Sequence, residues 1–249
     1  MRIPLARRGV GVLLLDIEGT TTPLAFVHDV LFPYALRRLT DYVQARRDSP
    51  DIAGIAAALA AEHAAERGPA DPPPAWRSSN AGELTESLTR YADWLMARDR
   101  KSPGLKRLQG LIWDEGYRRG DLRGVVFDDV APAFRRWRAD GRRIAVYSSG
   151  SELAQRRLFE SAGPDDLSSS VERFFDTGVG PKIEPGSYRR IAAALGVPET
   201  GVLFVSDVTA ELAAARAAGL QVALMMRPGN RLQPDADSFE QIRSCDDIV

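Results

Sequence analysis

The sequence predicts an α/β protein: a doubly wound parallel sheet with an all-helical domain inserted after the first strand. An apolar run of strand length, Val12-Leu13-Leu14-Leu15, ends in Asp16-Ile17-Glu18-Gly19. Residues 24–124 then show helical spacing and no strand pattern, and beyond Val125 strands and helices alternate. The first strand belongs in character with the later half. The expected organisation is therefore a core of residues 1–23 and 125–249, with a helical cap over 24–124.

The elements follow in order. Residues 10–15 read as the first, buried strand. Residues 28–47 read as a helix with Val30, Leu31, Tyr34, Leu39 and Val43 at helical spacing, and Pro33 falls near its start, where proline is tolerated. Residues 51–66 are alanine-rich and helical. Gly68 to Asn80 reads as a loop broken by Pro72-Pro73-Pro74. Helices are expected over 83–99 and 103–118. In the second half helices are expected at 128–139, 151–162, 185–195 and 209–218. The strands of that half are expected at 143–147, Phe174-Phe175, 202–205 and 222–225.

Composition narrows the function. The chain has 249 residues, 44% of them apolar, enough for a sizeable core. A net charge of −1 argues against a general nucleic-acid or anionic-membrane binder. Cys245 is the only cysteine, which excludes an intramolecular disulfide and a cysteine metal site. The N-terminal apolar run is too short for a secretory signal, and no stretch is long enough to span a bilayer. A cytoplasmic protein that binds neither nucleic acid nor membrane is expected, and the lack of a coiled-coil pattern or apolar surface stripe points to a monomer. Of the 33 basic residues only Lys101, Lys106 and Lys182 are lysine. In such an arginine-rich chain a retained lysine marks either a site that needs a compact ammonium or chance survival.

Chemistry concentrates at strand ends. Residues two apart on a strand share a side, so Asp16 and Glu18 converge just past a buried strand, where open α/β sheets bind ligands. Two acids there repel unless a cation lies between them, and hard oxygen ligands suit Mg²⁺; the plain alternative is an acidic turn. Ser148-Ser149-Gly150 joins a strand to a helix and reads either as an anion site or as a serine N-cap. Lys182 reads as a phosphate partner or a solvated lysine. Asp207 reads as a second strand-end carboxylate or a helix N-cap. Glu211, one helical turn on, reads as a ligand to metal-bound water or a solvated acid.

In that order Asp16, Ser148, Lys182 and Asp207 supply a carboxylate nucleophile, phosphate clamps and an acidic metal site, the parts for phosphoryl transfer through an aspartyl-phosphate. The order resembles the four motifs of the haloacid dehalogenase-like superfamily. Asp16-Ile17-Glu18-Gly19-Thr20-Thr21-Thr22-Pro23, with Leu31-Phe32-Pro33-Tyr34 behind it, further resembles the enolase-phosphatase E1 (acireductone synthase) family, which carries glutamate where most of the superfamily has a second aspartate. Leu105–Trp113, Tyr147–Ser151, Phe175-Asp176-Thr177, Lys182-Ile183-Glu184 with Ser187-Tyr188, Ser206–Thr209 and Arg227-Pro228-Gly229-Asn230 also match. Residues 48–80 match least.

The resemblance implies a Mg²⁺-dependent phosphatase of methionine salvage. It would enolise 2,3-diketo-5-methylthiopentyl 1-phosphate, a small phosphorylated diketone, and dephosphorylate it to the acireductone 1,2-dihydroxy-3-keto-5-methylthiopentene. Asp16, Glu18 and Lys182 would be catalytic, with Asp16 the nucleophile and Glu18 the candidate enolisation base. Ser148, Ser149 and Lys182 would hold phosphate, and Asp16, Glu18 and Asp207 the metal. Lys101, Lys106, Gln109, Trp113 and Tyr117 are candidates from the helical insertion, which is expected to close over substrate and exclude water. For Trp113 core packing is the stronger reading. His28 and His63 take no role. The rival readings are a phosphatase of the same fold acting on another ester and a catalytically silent binding protein. Intact Asp16, Lys182 and Asp207 argue against the silent one.

Overall fold

The computed structural model describes residues 2–67, 71–98, 100 and 102–249. Its chain divides into two compact units, Met1–Val27 with Arg123–Val249, and His28–Leu122. The boundaries fall at Val27 and Arg123 rather than at the expected Pro23 and Val125. The short helix α1 (Leu24–Phe26), with Phe26 and Val27 buried, extends the first unit past Pro23.

Strand β1 (Val12–Leu15) has all four side chains fully buried, as a strand covered on both faces requires. The chain then passes through a π-helical turn, Val27–Leu31, into α2 (Phe32–Ala45). The sequence predicts a regular helix from residue 28. Pro33 has no N–H to return to the carbonyl of Asp29, and the ladder opens into a wider turn there.

The second unit continues with α3 (Pro50–Ala65), α4 (Ala81–Met96) and α5 (Pro103–Arg119). Each of these three helices starts on a side-chain cap. Ser49 accepts from the Ile52 N–H, Asn80 from that of Glu83, and Ser102 from that of Leu105. Helix α5 stops at Gly120, whose φ of 76° is the left-handed cap geometry that glycine permits. Within this unit α3 packs on α5 and α2 on α4. The Trp113 indole N–H donates to the Leu31 carbonyl at 2.8 Å, so this tryptophan packs in the helical core. Of the loop expected from Gly68 to Asn80, residues 71–80 carry no helix or strand, and 68–70 lie outside the described residues.

The return to the first unit brings α6 (Val130–Ala139), β2 (Arg143–Tyr147), α7 (Glu152–Glu160), β3 (Arg173–Phe175) and α8 (Pro185–Leu195). Then come β4 (Val202–Ser206), α9 (Thr209–Ala217), β5 (Gln221–Met225) and a two-residue β6 (Gln241–Ile242). The strands form one parallel sheet in the order β3-β2-β1-β4-β5-β6. The sequence reading does not include β6, which carries no apolar run of the kind Phe174-Phe175 shows. One sheet face, with Val12, Leu14, Tyr147 and Phe204, packs on Tyr188, Ile191 and Leu195 of α8 and Leu212 of α9. Alternation sends Leu13, Leu15, Ile144 and Val146 to the other face, the side of α6 and α7. There Phe134 of α6 stacks on Phe159 of α7, with ring centroids 5.9 Å apart. Strand order reverses between β1 and β4, so the ligand crevice of such a sheet lies beyond their carboxyl ends. Among the described residues no helix is long and apolar enough to cross a membrane.

Phe204 is fully buried, with its ring 5.1 Å from that of Tyr188. Phe204→Ala should lower unfolding stability by about 3–5 kcal/mol. Urea titration should show a lower midpoint at an unchanged slope.

Candidate active site

Asp16 follows β1 directly, 4% exposed, and its N–H donates to the Val205 carbonyl at 3.0 Å. Leu15 pairs with Val146 on one side and Val205 on the other, so Asp16 falls level with Tyr147 and Ser206. Beyond Asp16 the chain coils tightly. The Ile17 carbonyl accepts the N–H groups of Thr20, Thr21 and Thr22 at 3.2, 3.0 and 2.8 Å. Gly19 closes the coil by donating to the Thr22 carbonyl at 2.8 Å, and Glu18 and Thr22 form an isolated bridge. Gly19 has φ +66°, and a Cβ there would lie 2.3 Å from Asp207 Oδ2. Glycine is thus required twice over, by its backbone and by the carboxylate packed against it.

Strand β4 delivers Ser206 and Asp207, both buried. Helix α9 begins with Val208 at the N-cap position and no side-chain cap bond, so Asp207 is not the cap. Lys182 meets Asp16 from the loop before α8. Its Nζ is 2.6 Å from Asp16 Oδ1 and 2.6 Å from Glu211 Oε2, and its side chain is 9% exposed. This is not a solvated surface lysine. The turn that carries it is held through three successive carbonyls. Tyr147 donates its hydroxyl to the Gly180 carbonyl, Ser187 to that of Pro181 and Tyr188 to that of Lys182, at 2.7, 2.8 and 2.7 Å. The sequence reading names Tyr147, Ser187 and Tyr188 only as positions that match the family and gives them no anchoring role. The signal available was a tyrosine directly before Ser148 and the Ser187-Tyr188 pair after Lys182.

The electrostatics follow from crowding. Burial, then the charges of Asp16 and Glu211, push the Asp207 carboxyl up to about 7. Burial also raises Glu211, against the pull of Lys182. Burial alone would lower the Lys182 ammonium, but Asp16 and Glu211 outweigh it and hold it above its ordinary value. Glu211 Oε2 accepts from Lys182 and from the Ser206 hydroxyl at 2.9 Å, so this oxygen helps to position the ammonium.

In the loop after β2 the cap duty falls to Ser151, whose side chain accepts from the Ala154 N–H of α7. That leaves Ser148 and Ser149 outside the cap. Ser148 is buried, with its N–H on the Phe175 carbonyl at 3.2 Å. Gln155 donates to the carbonyls of Gly150 and Phe175, both at 2.9 Å, and so ties this loop to the end of β3.

The carboxylates read from the sequence as metal ligands divide unequally. Asp16 and Asp207 share the buried ends of β1 and β4, whereas Glu18 lies on the coil and is half-buried. Among the described residues no three His, Cys, Asp or Glu side chains stand close enough to cage an ion. A cation here would draw the rest of its shell from carbonyls, water or a phosphate, which is the habit of Mg²⁺. A buried cluster of carboxylates with one ammonium, and a carboxyl forced towards neutrality, fits a cation of that kind.

In the second unit Lys106, Gln109, Trp113 and Tyr117 all lie on α5, and Lys101 lies outside the described residues. The Tyr117 hydroxyl is buried and without a hydrogen-bond partner. His63 bonds the Pro74 carbonyl and packs on Trp76 and Tyr91, and His28 packs on Phe32.

Comparison with known proteins places the chain among hydrolases. Residues 10–219 match the family of haloacid dehalogenase-like hydrolases. The chain is 46% identical over 239 residues to the enolase-phosphatase E1 of Synechococcus elongatus, covering 96% of this chain and 98% of that protein. It is 44% identical over 229 residues to the enolase-phosphatase E1 of Drosophila grimshawi, covering 90% of each. Among solved structures it resembles the UTR4 protein of Saccharomyces cerevisiae, with a TM-score of 0.73 and 34% identity over 94% of this chain and 98% of that one.

The raised carboxyl of Asp207 has a consequence for stability. A folded-state value of about 7 against the ordinary 3.8 means that the folded protein holds a proton that the unfolded chain has released. Stability present in acid is therefore lost as pH rises from about 4 to about 7. Chelator-treated protein should melt at a lower temperature at about pH 8 than at about pH 5, and Asp207→Asn should flatten that difference. Thermal melts of both proteins across the range check it.

Proposed function

The chain belongs to the enolase-phosphatase E1 family of haloacid dehalogenase-like hydrolases, and from that premise we propose that this site performs both reactions of the family name. The chain is a phosphatase enzyme of methionine salvage. Its proposed substrate is 2,3-diketo-5-methylthiopentyl 1-phosphate and its product the acireductone. The observation that carries the reading is Asp16, held by Lys182 at the carboxyl end of β1 beside the buried carboxylate of Asp207.

Each step is assigned to residues of this chain. Asp16 attacks phosphorus in line, and the bond from phosphorus to the enol oxygen breaks. Water then hydrolyses the aspartyl-phosphate, restoring Asp16 and releasing phosphate. Lys182 bonds Asp16 and so orients it, and it stands ready to neutralise a phosphate oxygen as charge builds. Ser148 and Ser149 hold the other phosphate oxygens from the loop after β2. Before that step Glu18 removes the proton from the carbon bearing the phosphate oxygen. Glutamate is one methylene longer than aspartate and reaches further from the coil. Mg²⁺, held by Asp16 and Asp207 with Glu18 beside them, would neutralise phosphate charge and favour attack at phosphorus.

The test is a dual readout on the purified protein with Mg²⁺ and the diketone phosphate. Ultraviolet absorbance follows the enol and a phosphate assay follows release. Native protein should give both signals, and Asp16→Asn should lose phosphate release. Glu18→Gln should slow enolisation by about 10²–10⁴-fold and depress dephosphorylation of pre-formed enol far less. Release from generic esters with no action on the diketone would sink the substrate assignment and leave the nucleophile standing. Loss of dephosphorylation with intact enolisation in Glu18→Gln would remove Glu18 as the base.

A further inference from the structure

The coil after the nucleophile satisfies its own N–H groups inwardly, all three threonine amides converging on the Ile17 carbonyl. Its carbonyls at Gly19, Thr20 and Thr21 are left facing outward, and each meets a donor from elsewhere in the first unit. Asn230 Nδ2 donates to the Gly19 carbonyl at 2.9 Å. Arg227 Nε donates to the Thr20 carbonyl at 3.1 Å. The backbone N–H of Phe127 donates to the Thr21 carbonyl at 3.0 Å.

These donors are themselves fixed. Asn230 and Arg227 share one turn, closed by the Asn230 N–H on the Arg227 carbonyl at 3.2 Å. Asn230 also donates to the Met225 carbonyl at 3.2 Å. The Arg227 side chain is 5% exposed and ion-paired to Asp129 at 2.9 Å. Its guanidinium lies 4.2 Å from the centroid of the Phe127 ring and donates to the Arg243 carbonyl at 3.2 Å. Asp129 stands at the N-cap position of α6 yet makes no cap bond. Its carboxylate instead takes Arg227, the Ser244 hydroxyl at 2.9 Å and the Cys245 N–H at 2.5 Å. A helix start has gone without its carboxylate cap so that a buried arginine keeps its fork.

None of these groups touches the proposed reacting atoms, and a shorter or less branched cation would serve a simple charge pair. The fork is used because its Nε addresses the nucleophile coil while its terminal nitrogens hold Asp129 and Arg243. We propose that Arg227 and Asn230 are positioning residues of the phosphoryl-transfer site, clamping the coil that sets Asp16 and Glu18. The catalytic half of this inference rests on the function proposed above; the clamp itself rests on the geometry alone.

The test uses full-length Arg227→Lys, which keeps the charge and loses the fork, and Asn230→Ala, which leaves the buried ion pair alone. Two readouts are taken on protein that melts cooperatively. One is amide exchange of peptides spanning Asp16–Pro23; the other is steady-state hydrolysis of p-nitrophenyl phosphate with Mg²⁺. Both variants should exchange faster in that segment and not in β1 or β4. Their kcat should fall about 10- to 100-fold with KM unchanged, the pattern of a misplaced nucleophile. Unchanged exchange in both variants overturns the clamp. Faster exchange with native kcat, or a raised KM at native kcat, overturns the positioning role. If native protein itself hydrolyses no phosphate ester, the functional reading has failed, and the exchange result alone decides the clamp.

Discussion

Everything at this site depends on one electrostatic constraint: three carboxylates and a single ammonium share the buried ends of two adjacent parallel strands. The register of β1 against β4 puts Asp16 level with Ser206, so Asp207 follows within reach, and Glu211 returns one turn along α9. With every group ionised the cluster carries one positive charge against three negative ones. Low-dielectric surroundings make that imbalance costly, and burial with the neighbouring charges raises both Asp207 and Glu211 towards their neutral forms. A divalent cation bound here would bring the ionised cluster to neutrality. The crowding of like charge that costs the folded protein stability would favour a cation at the same point.

Such a cluster works only if its loops cannot relax away from it, and the fold meets that demand twice in the same manner. The Lys182 turn and the coil after Asp16 each present three successive carbonyls outward, and each carbonyl finds a donor on a rigid element or a fixed turn. At Gly180, Pro181 and Lys182 the donors are hydroxyls of Tyr147, Ser187 and Tyr188. At Gly19, Thr20 and Thr21 they are Asn230, Arg227 and the Phe127 amide. Backbone that must leave regular structure to reach a ligand is otherwise short of partners, and buried carbonyls left unpaired would cost more than these bonds contribute. The supporting side chains therefore come from strand β2, from helix α8 and from the turn after β5, not from the loops themselves.

This division explains what was legible in the sequence. Asp16, Lys182 and Asp207 stood out because each ends or follows an apolar strand, and strand runs are the strongest local signal in the chain. The parallel sheet followed from the same alternation, and the helical block from its long stretch of 3.6-residue spacing. The supports were not legible, since pairing Arg227 with Thr20 or Tyr188 with Lys182 is a fact of tertiary geometry with no periodic trace. Strand β6 escaped because Gln241-Ile242 carries no apolar run of the kind Phe174-Phe175 shows, and the π-turn at Val27–Leu31 because Pro33 acts on a residue four positions back. Glu211 was seen near Asp207 but without its bond to Lys182. Sequence spacing put it near Asp207, but only the fold shows its carboxylate turned to the ammonium.

That ammonium shows why one lysine survives at this point in an arginine-rich chain. Its nitrogen must approach Asp16 and Glu211 at 2.6 Å each, under a tyrosine ring whose hydroxyl is already bonded elsewhere. A guanidinium brings a planar fork whose donors point in one plane and which needs room for all of them; an ammonium directs its donors around a single atom. The same chain places an arginine at Arg227, where a flat, forked cation can stack on Phe127 and reach the Asp129 carboxylate and two carbonyls at once. The two buried cations are not interchangeable. One converges charge on a point where a phosphate oxygen would sit, and the other spreads hydrogen bonds across a plane to hold backbone in place.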